Sequence, residues 1–191
     1  MILVSAHSDT NFKTTKLRIE GDSYVGYLDN FVGVYAAMKA YFSGEIKPED
    51  VWIELTYGEE TDFAGAIEVA QDIQKNDLVI VMDVTATPTD KDIVIEKANS
   101  PVIREFLGDV LQGFSYDLYE GCPDPISDRD EVEVYKHKSD YCFFLGLPCS
   151  GGDYNDVEVK CKVKSVDEAA RAIIEITKKY NNFKKLINEL P

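Results

Sequence analysis

The chain has 191 residues, 45% of them hydrophobic and 11% aromatic, which is the length of one domain with enough apolar material for a sizeable core. Its 35 Asp and Glu against 20 Lys and Arg give a formal net charge of −15, a field that repels phosphate backbones and argues against nucleic acid as a partner. No run reaches the length of a membrane span, and no basic region precedes an apolar stretch with a small-residue cleavage site. Cys122, Cys142, Cys149 and Cys161 show neither a Cys-x-x-Cys spacing nor the density of a disulfide scaffold, so reduced thiols in a cytoplasmic protein are expected.

Residues 2–4, Ile-Leu-Val, predict a strand buried on both faces, which places His7 and Asp9 of VSAHSDT at its carboxyl end, where open α/β sheets put their ligand sites. Residues 16–28 alternate unevenly around Gly21 and Asp22, as a hairpin would. From Asn30 the period changes: Phe31, Val34, Tyr35, Met38 and Phe42 fall on one helical face, and Ser43-Gly44 ends the run. Residues 51–57 read as the next strand. Asp62 can cap a helix through about residue 75, with Phe63, Ala66, Ile67 and Ala70 inward. Residues 78–84 are apolar throughout, as in a central parallel strand.

A short strand at 93–95, a helix over 101–113 and a strand at 116–119 follow. Residues 120–133 combine two prolines with six acids and are expected to form a mobile surface loop. A helix-like stretch at 139–145 precedes a short strand at 147–149. A last helix over 166–180 carries Val166, Ala169, Ala170, Ile173 and Thr177 at helical spacing, and the tail can extend it. With no repeat and no dividing linker, the alternation predicts one domain over 1–191, a three-layer α/β/α sandwich around a mainly parallel, mixed sheet.

On this map Asp29 in GYLDNFVG, Glu59 and Glu60 in YGEETDFAG, and Asp83 in VMDVT all fall at the same carboxyl edge as His7. Singly, Asp29 is a good helix cap, the two glutamates suit a helix start and Asp83 is an ordinary strand-end acid. Together, like charges converging on one edge call for a cation among them.

SAHSDT, YLDNFVG, GEETDFAGA and MDVT, in this order, resemble the metal-binding motifs of the co-catalytic zinc aminopeptidases, nearest to the glutamyl and tetrahedral aminopeptidases. SDYCFFLGLP and SVDEAARAI look like that family's closing segments. The resemblance implies a zinc-peptidase-like fold in which His7, Asp29 and Asp83 hold one metal and Asp9 orients His7. Asp29 would bridge to a second metal bound by Glu60, and Glu59 would be the general base. Zinc suits such a set, with cobalt or manganese as alternatives. The expected substrate is a peptide or small amide.

Two departures from the family stand out. The stretch SGGDYNDVEVK lacks the family's final histidine ligand, and Asp153, Tyr154 or Asn155 occupies its place. His137 lies upstream beside Lys136 and Lys138, as an exposed loop histidine would. Only a short segment separates Asp9 from Asp29, where the relatives insert a lid or dimerisation domain; the chain is therefore expected to be a catalytic domain alone, a monomer or small homo-oligomer. The missing histidine keeps open a non-catalytic or single-metal binding module.

Overall fold

The computed structural model describes residues 1–123 and 129–189. In chain order it runs β1 (Ile2–His7), β2 (Leu17–Glu20), β3 (Ser23–Gly26), α1 (Phe31–Tyr41), β4 (Trp52–Thr56), α2 (Ala64–Val69), β5 (Leu78–Thr85) and β6 (Ile93–Glu96). There follow α3 (Pro101–Val110), β7 (Tyr116–Leu118), α4 (Val132–Tyr135), β8 (Tyr141–Ser150), β9 (Val159–Lys162), α5 (Val163–Lys178) and α6 (Tyr180–Asn188). Strands β4, β1, β5 and β8 lie side by side and parallel. Beyond β8 the sheet turns antiparallel, through β6 on one side and through β9, β3 and β2 on the other. The sheet is thus mixed but mainly parallel at its centre, with helices on both faces, as the sequence pattern predicts.

The period-2 alternation of the buried strands builds the two outer layers. Ile2, Val4, Ile80, Met82, Phe143 and Leu145 point into the large cluster beneath α1, α3, α5 and α6, while Leu3, Val79, Val81 and Phe144 point into a smaller one beneath α2 and α4. Helix α6 is a separate element rather than an extension of α5, and it docks through fully buried Phe183, whose ring meets Phe106 at 5.4 Å and Tyr141 at 5.1 Å.

Several expectations need correction. Helix α1 buries its small face, Gly33, Ala36, Ala37 and Ala40, which allows close packing on the sheet and on α5; the large side chains Phe31, Tyr35 and Phe42 lie outward, Phe42 at 73% exposure. Helix α2 is short, and Ile67 is exposed at 51%. Residues 141–145, read as helix-like, are strand, part of the ten-residue β8 (Tyr141–Ser150), which pairs with β5 as far as Pro148. The acidic stretch 120–133 is only partly a surface loop: Asp130, Glu131 and Val132 are buried, and residues 124–128 lie outside the described residues. Strand β9 has no counterpart in the sequence reading.

Candidate metal centre

Parallel pairing brings the carboxyl ends of β1, β4 and β5 to one edge: His7 is in register with Thr56, and Asp83 lies on β5 beyond Val81, the last partner of β1. Asp29 enters on the loop between β3 and α1. The helix cap is its neighbour Asn30, whose side-chain oxygen accepts from Gly33 N at 3.1 Å and whose amide donates to the Met82 carbonyl at 2.7 Å. Asn30 therefore takes the capping role that Asp29 could have filled, and it ties the start of α1 to the residue before Asp83. A side chain at Gly33 would meet Asn30 Oδ1 at 2.1 Å, so the Asn-x-x-Gly spacing is required for this arrangement.

Glu59 and Glu60 sit in a turn wound around the Gly58 carbonyl, which accepts from Asp62 N at 2.9 Å and Phe63 N at 2.6 Å. Gly58 has φ +78, a backbone region that favours glycine. The turn aims both glutamates into a cleft of about 510 Å³ that is also lined by Asp29, Asp83 and Asp153.

His7 is 2% exposed, and its two nitrogens face different partners. Nδ1 lies 3.1 Å from the main-chain oxygen of Asp9, while Nε2 lies 3.1 Å from both Asp29 Oδ1 and Asp83 Oδ2. The main-chain oxygen of Asp9, rather than its carboxylate at 3.6 Å, is thus what holds the ring. One Nε2–H cannot serve two carboxylates, and Asp29 Oδ1 is indeed buried with no hydrogen bond. With Nδ1–H donated to Asp9, the Nε2 lone pair faces two oxygen acceptors, an arrangement that only a cation or an extra proton relieves. A divalent ion about 2 Å from each donor fits among atoms at these separations. Two donor sets could hold one, His7 with Asp29 and Asp83, and His7 with Glu59 and Glu60; in each the donor atoms lie within 4.8 Å of one another.

Protonation follows the same logic. Burial, with Asp83 next, pushes Glu59 up to about 8. Burial, countered only in part by His7, pushes Asp83 up to about 7, and Glu60 is raised chiefly by burial. Burial alone would lower His7, but Asp83 and Asp29 outweigh it and drive the ring up to about 12. The direction that holds for the cluster as a whole is retention of protons, because one imidazolium cannot neutralise so many buried acids.

Asp153 shares the cleft but belongs to neither donor set; it is exposed and its Oδ1 accepts from Asn155 N at 3.0 Å. His137 is exposed and stands apart from the cleft. The sequence reading did not single out Glu131, which is 1% exposed and accepts from Ser5 Oγ of β1 and Thr56 Oγ1 of β4 directly beneath the cluster. Nor did it single out Arg129, which lines the cleft. A run of acids read as a solvated loop hid both.

No protein-family model and no curated protein matches the sequence. Solved structures do. The TET1 peptidase of Pyrococcus horikoshii matches with a TM-score of 0.67 at 16% identity, over 87% of this chain and 53% of that one. A TET aminopeptidase from a marine-sediment thaumarchaeote gives 0.69 at 14% identity, over 90% and 55%. Yeast aminopeptidase 1 gives 0.67 at 13% identity, over 92% and 52%. The chain spans about half the length of these structures. It has the fold they share, as the resemblance carried by SAHSDT, YLDNFVG, GEETDFAGA and MDVT implied.

Proposed function

We propose that the protein is a metal-dependent hydrolase that cleaves peptides from a free amino end, or small amides of the same kind. The observation that carries this reading is the pair of carboxylate oxygens facing His7 Nε2 while Nδ1 is turned to Asp9. His7, Asp29 and Asp83 would hold one ion, zinc by donor type with cobalt or manganese as alternatives; Asp29 and Glu60 would share a second. Such ions activate water and polarise the carbonyl under attack. Glu59, which faces the cleft and has no side-chain hydrogen bond among the described residues, takes the proton of the attacking water and passes it to the departing amine. Burial holds its proton affinity near the range where one group can do both. The aminopeptidase fold of the structural neighbours supports this choice of reaction.

The test is an assay of tag-free protein, loaded in turn with zinc, cobalt and manganese, on unblocked dipeptides and their N-acetyl forms. Cleavage confined to the unblocked peptides is expected. No cleavage with any of the metals would reject the reading.

A single-metal, non-catalytic reading draws on Asp153, which stays outside both donor sets. If Asp153 nevertheless completes the second position, that position has carboxylates and no further nitrogen, and harder ions are favoured there. Manganese added to protein already holding one zinc should then raise turnover, and Asp153→Ala should abolish the response. Binding of one ion only, with no activity, would favour the non-catalytic reading.

One structure of TET1 and one of yeast aminopeptidase 1 are dodecamers. Here the segment 10–28, which joins Asp9 to Asp29, contains the β2–β3 hairpin, whose strand β2 is exposed throughout. With no inserted domain at that place, sedimentation should show a monomer or small oligomer of this chain, and a dodecamer would contradict it.

A further inference from the structure

Among the described residues lining the cleft, Arg129 is the one cation, set among six carboxylates. Its guanidinium makes no ion pair among the described residues. It is held instead by two uncharged contacts: Cζ lies 4.9 Å from the Phe63 ring centroid, and Nη2 donates to the Thr61 carbonyl at 3.3 Å. Both anchors belong to the turn that carries Glu59 and Glu60. The backbone that delivers Arg129 is pinned as well. Asp130 is buried against Lys97 at 3.0 Å and accepts from Val132 N, and Glu131 is bonded to Ser5 and Thr56. An exposed guanidinium that lines the acid-rich cleft and pairs with no carboxylate among the described residues leaves most of its donor fork open to a ligand.

We infer that Arg129 receives the carboxylate of the substrate, so that the preferred substrates are dipeptides and other short amides with a carboxylate close to the scissile bond. This rests on the hydrolase reading for the site and names its substrate class. A chain of net charge −15 repels anions at long range, so a carboxylate-bearing substrate needs a local cation, and Arg129 supplies it. A planar guanidinium also matches a carboxylate in two-point geometry, which an ammonium does not. The free amino end of the same substrate would face the acids that line the cleft, and the two ends together would fix its direction.

Two measurements test this, one without turnover. Binding of Ala-Ala and of Ala-Ala amide to metal-loaded Glu59→Gln protein is measured by calorimetry, with and without the further change Arg129→Ala. The free acid should bind about 10-fold more tightly than the amide, about 1.4 kcal/mol, and Arg129→Ala should erase that ratio while Arg129→Lys restores part of it. In wild-type protein the ratio of kcat/KM for acid over amide should fall by a similar factor on Arg129→Ala. Equal binding of acid and amide, or no binding of either at millimolar peptide, overturns the role of Arg129 even if the enzyme is active. Acid-selective binding that depends on Arg129, in a protein that cleaves neither peptide, upholds the carboxylate site and rejects the hydrolase reading instead.

Discussion

Glu59→Gln is expected to lower kcat by about 10²–10⁴-fold and to leave the metal content of the chain unchanged. The amide keeps the shape and size of the side chain but cannot accept the proton of water. Glu60→Ala is expected to act differently, lowering metal content first and activity as a consequence. Glu59 and Glu60 both have oxygens in reach of His7, so proximity alone does not divide their roles. Environment does: Glu60 is engaged by the Asn11 side chain, while Glu59 is pushed up to about 8 by burial and by Asp83. A base must be ionised to act, so kcat/KM should rise with pH along a limb set by Glu59. A bound cation moves that limb below 8, and Glu59→Gln removes it. Elemental analysis of both variants checks the division, and equal loss of metal in the two would refute it.

Removing metal should make the protein's stability fall as pH rises across the neutral range. Asp83 and Glu59 have folded values of about 7 and about 8, above the ordinary carboxylate range of about 4, so the folded chain binds more protons than the unfolded one between those limits. Stability from these groups is present at low pH and is lost as pH climbs through 7 and 8. His7 has the same sign: raised to about 12, it contributes fully below its unfolded value of 6.5 and loses that contribution as pH rises toward 12. A divalent ion replaces these protons. Metal-loaded protein should therefore hold its stability from pH 5.5 to 8.5, and the gap between loaded and chelated protein should widen with pH, because binding releases protons. Urea unfolding at three pH values, with zinc and with a chelator, reads this directly. Stability of chelated protein that rises over the same window would contradict it.

Much of this was legible in the sequence because period and position agreed. The continuous apolar runs of β1 and β5 need no partner to be recognised, and an acid or histidine at the end of such a run must lie at the sheet edge. What escaped depended on tertiary context. SDYCFFLGLP lacks alternation because β8 is buried on both faces, and a ten-residue apolar stretch reads equally as helix. The largest residues of α1 suggest one helical face, yet Ala36, Ala37 and Ala40 are inward because the sheet lies close. Asp130 and Glu131 looked like solvated charge, and only the fold supplies the Lys97, Ser5 and Thr56 that make their burial tolerable. The acids that hold Arg129 in place thus carried no sequence signal, whereas the acids of the metal cluster did.

The decisive measurement is zinc per chain, by elemental analysis, in tag-free wild-type and His7→Ala protein, read beside the melting temperature of each with zinc and with a chelator. Coordination through His7, Asp29 and Asp83 gives about one ion or more per wild-type chain and a gain on loading of about 10 °C at zinc well above its dissociation constant. His7→Ala should lose both the ion and the gain. Equal metal content and an equal thermal gain in the two proteins would show that His7 is no ligand, and that its closeness to Asp29 and Asp83 serves only the fold.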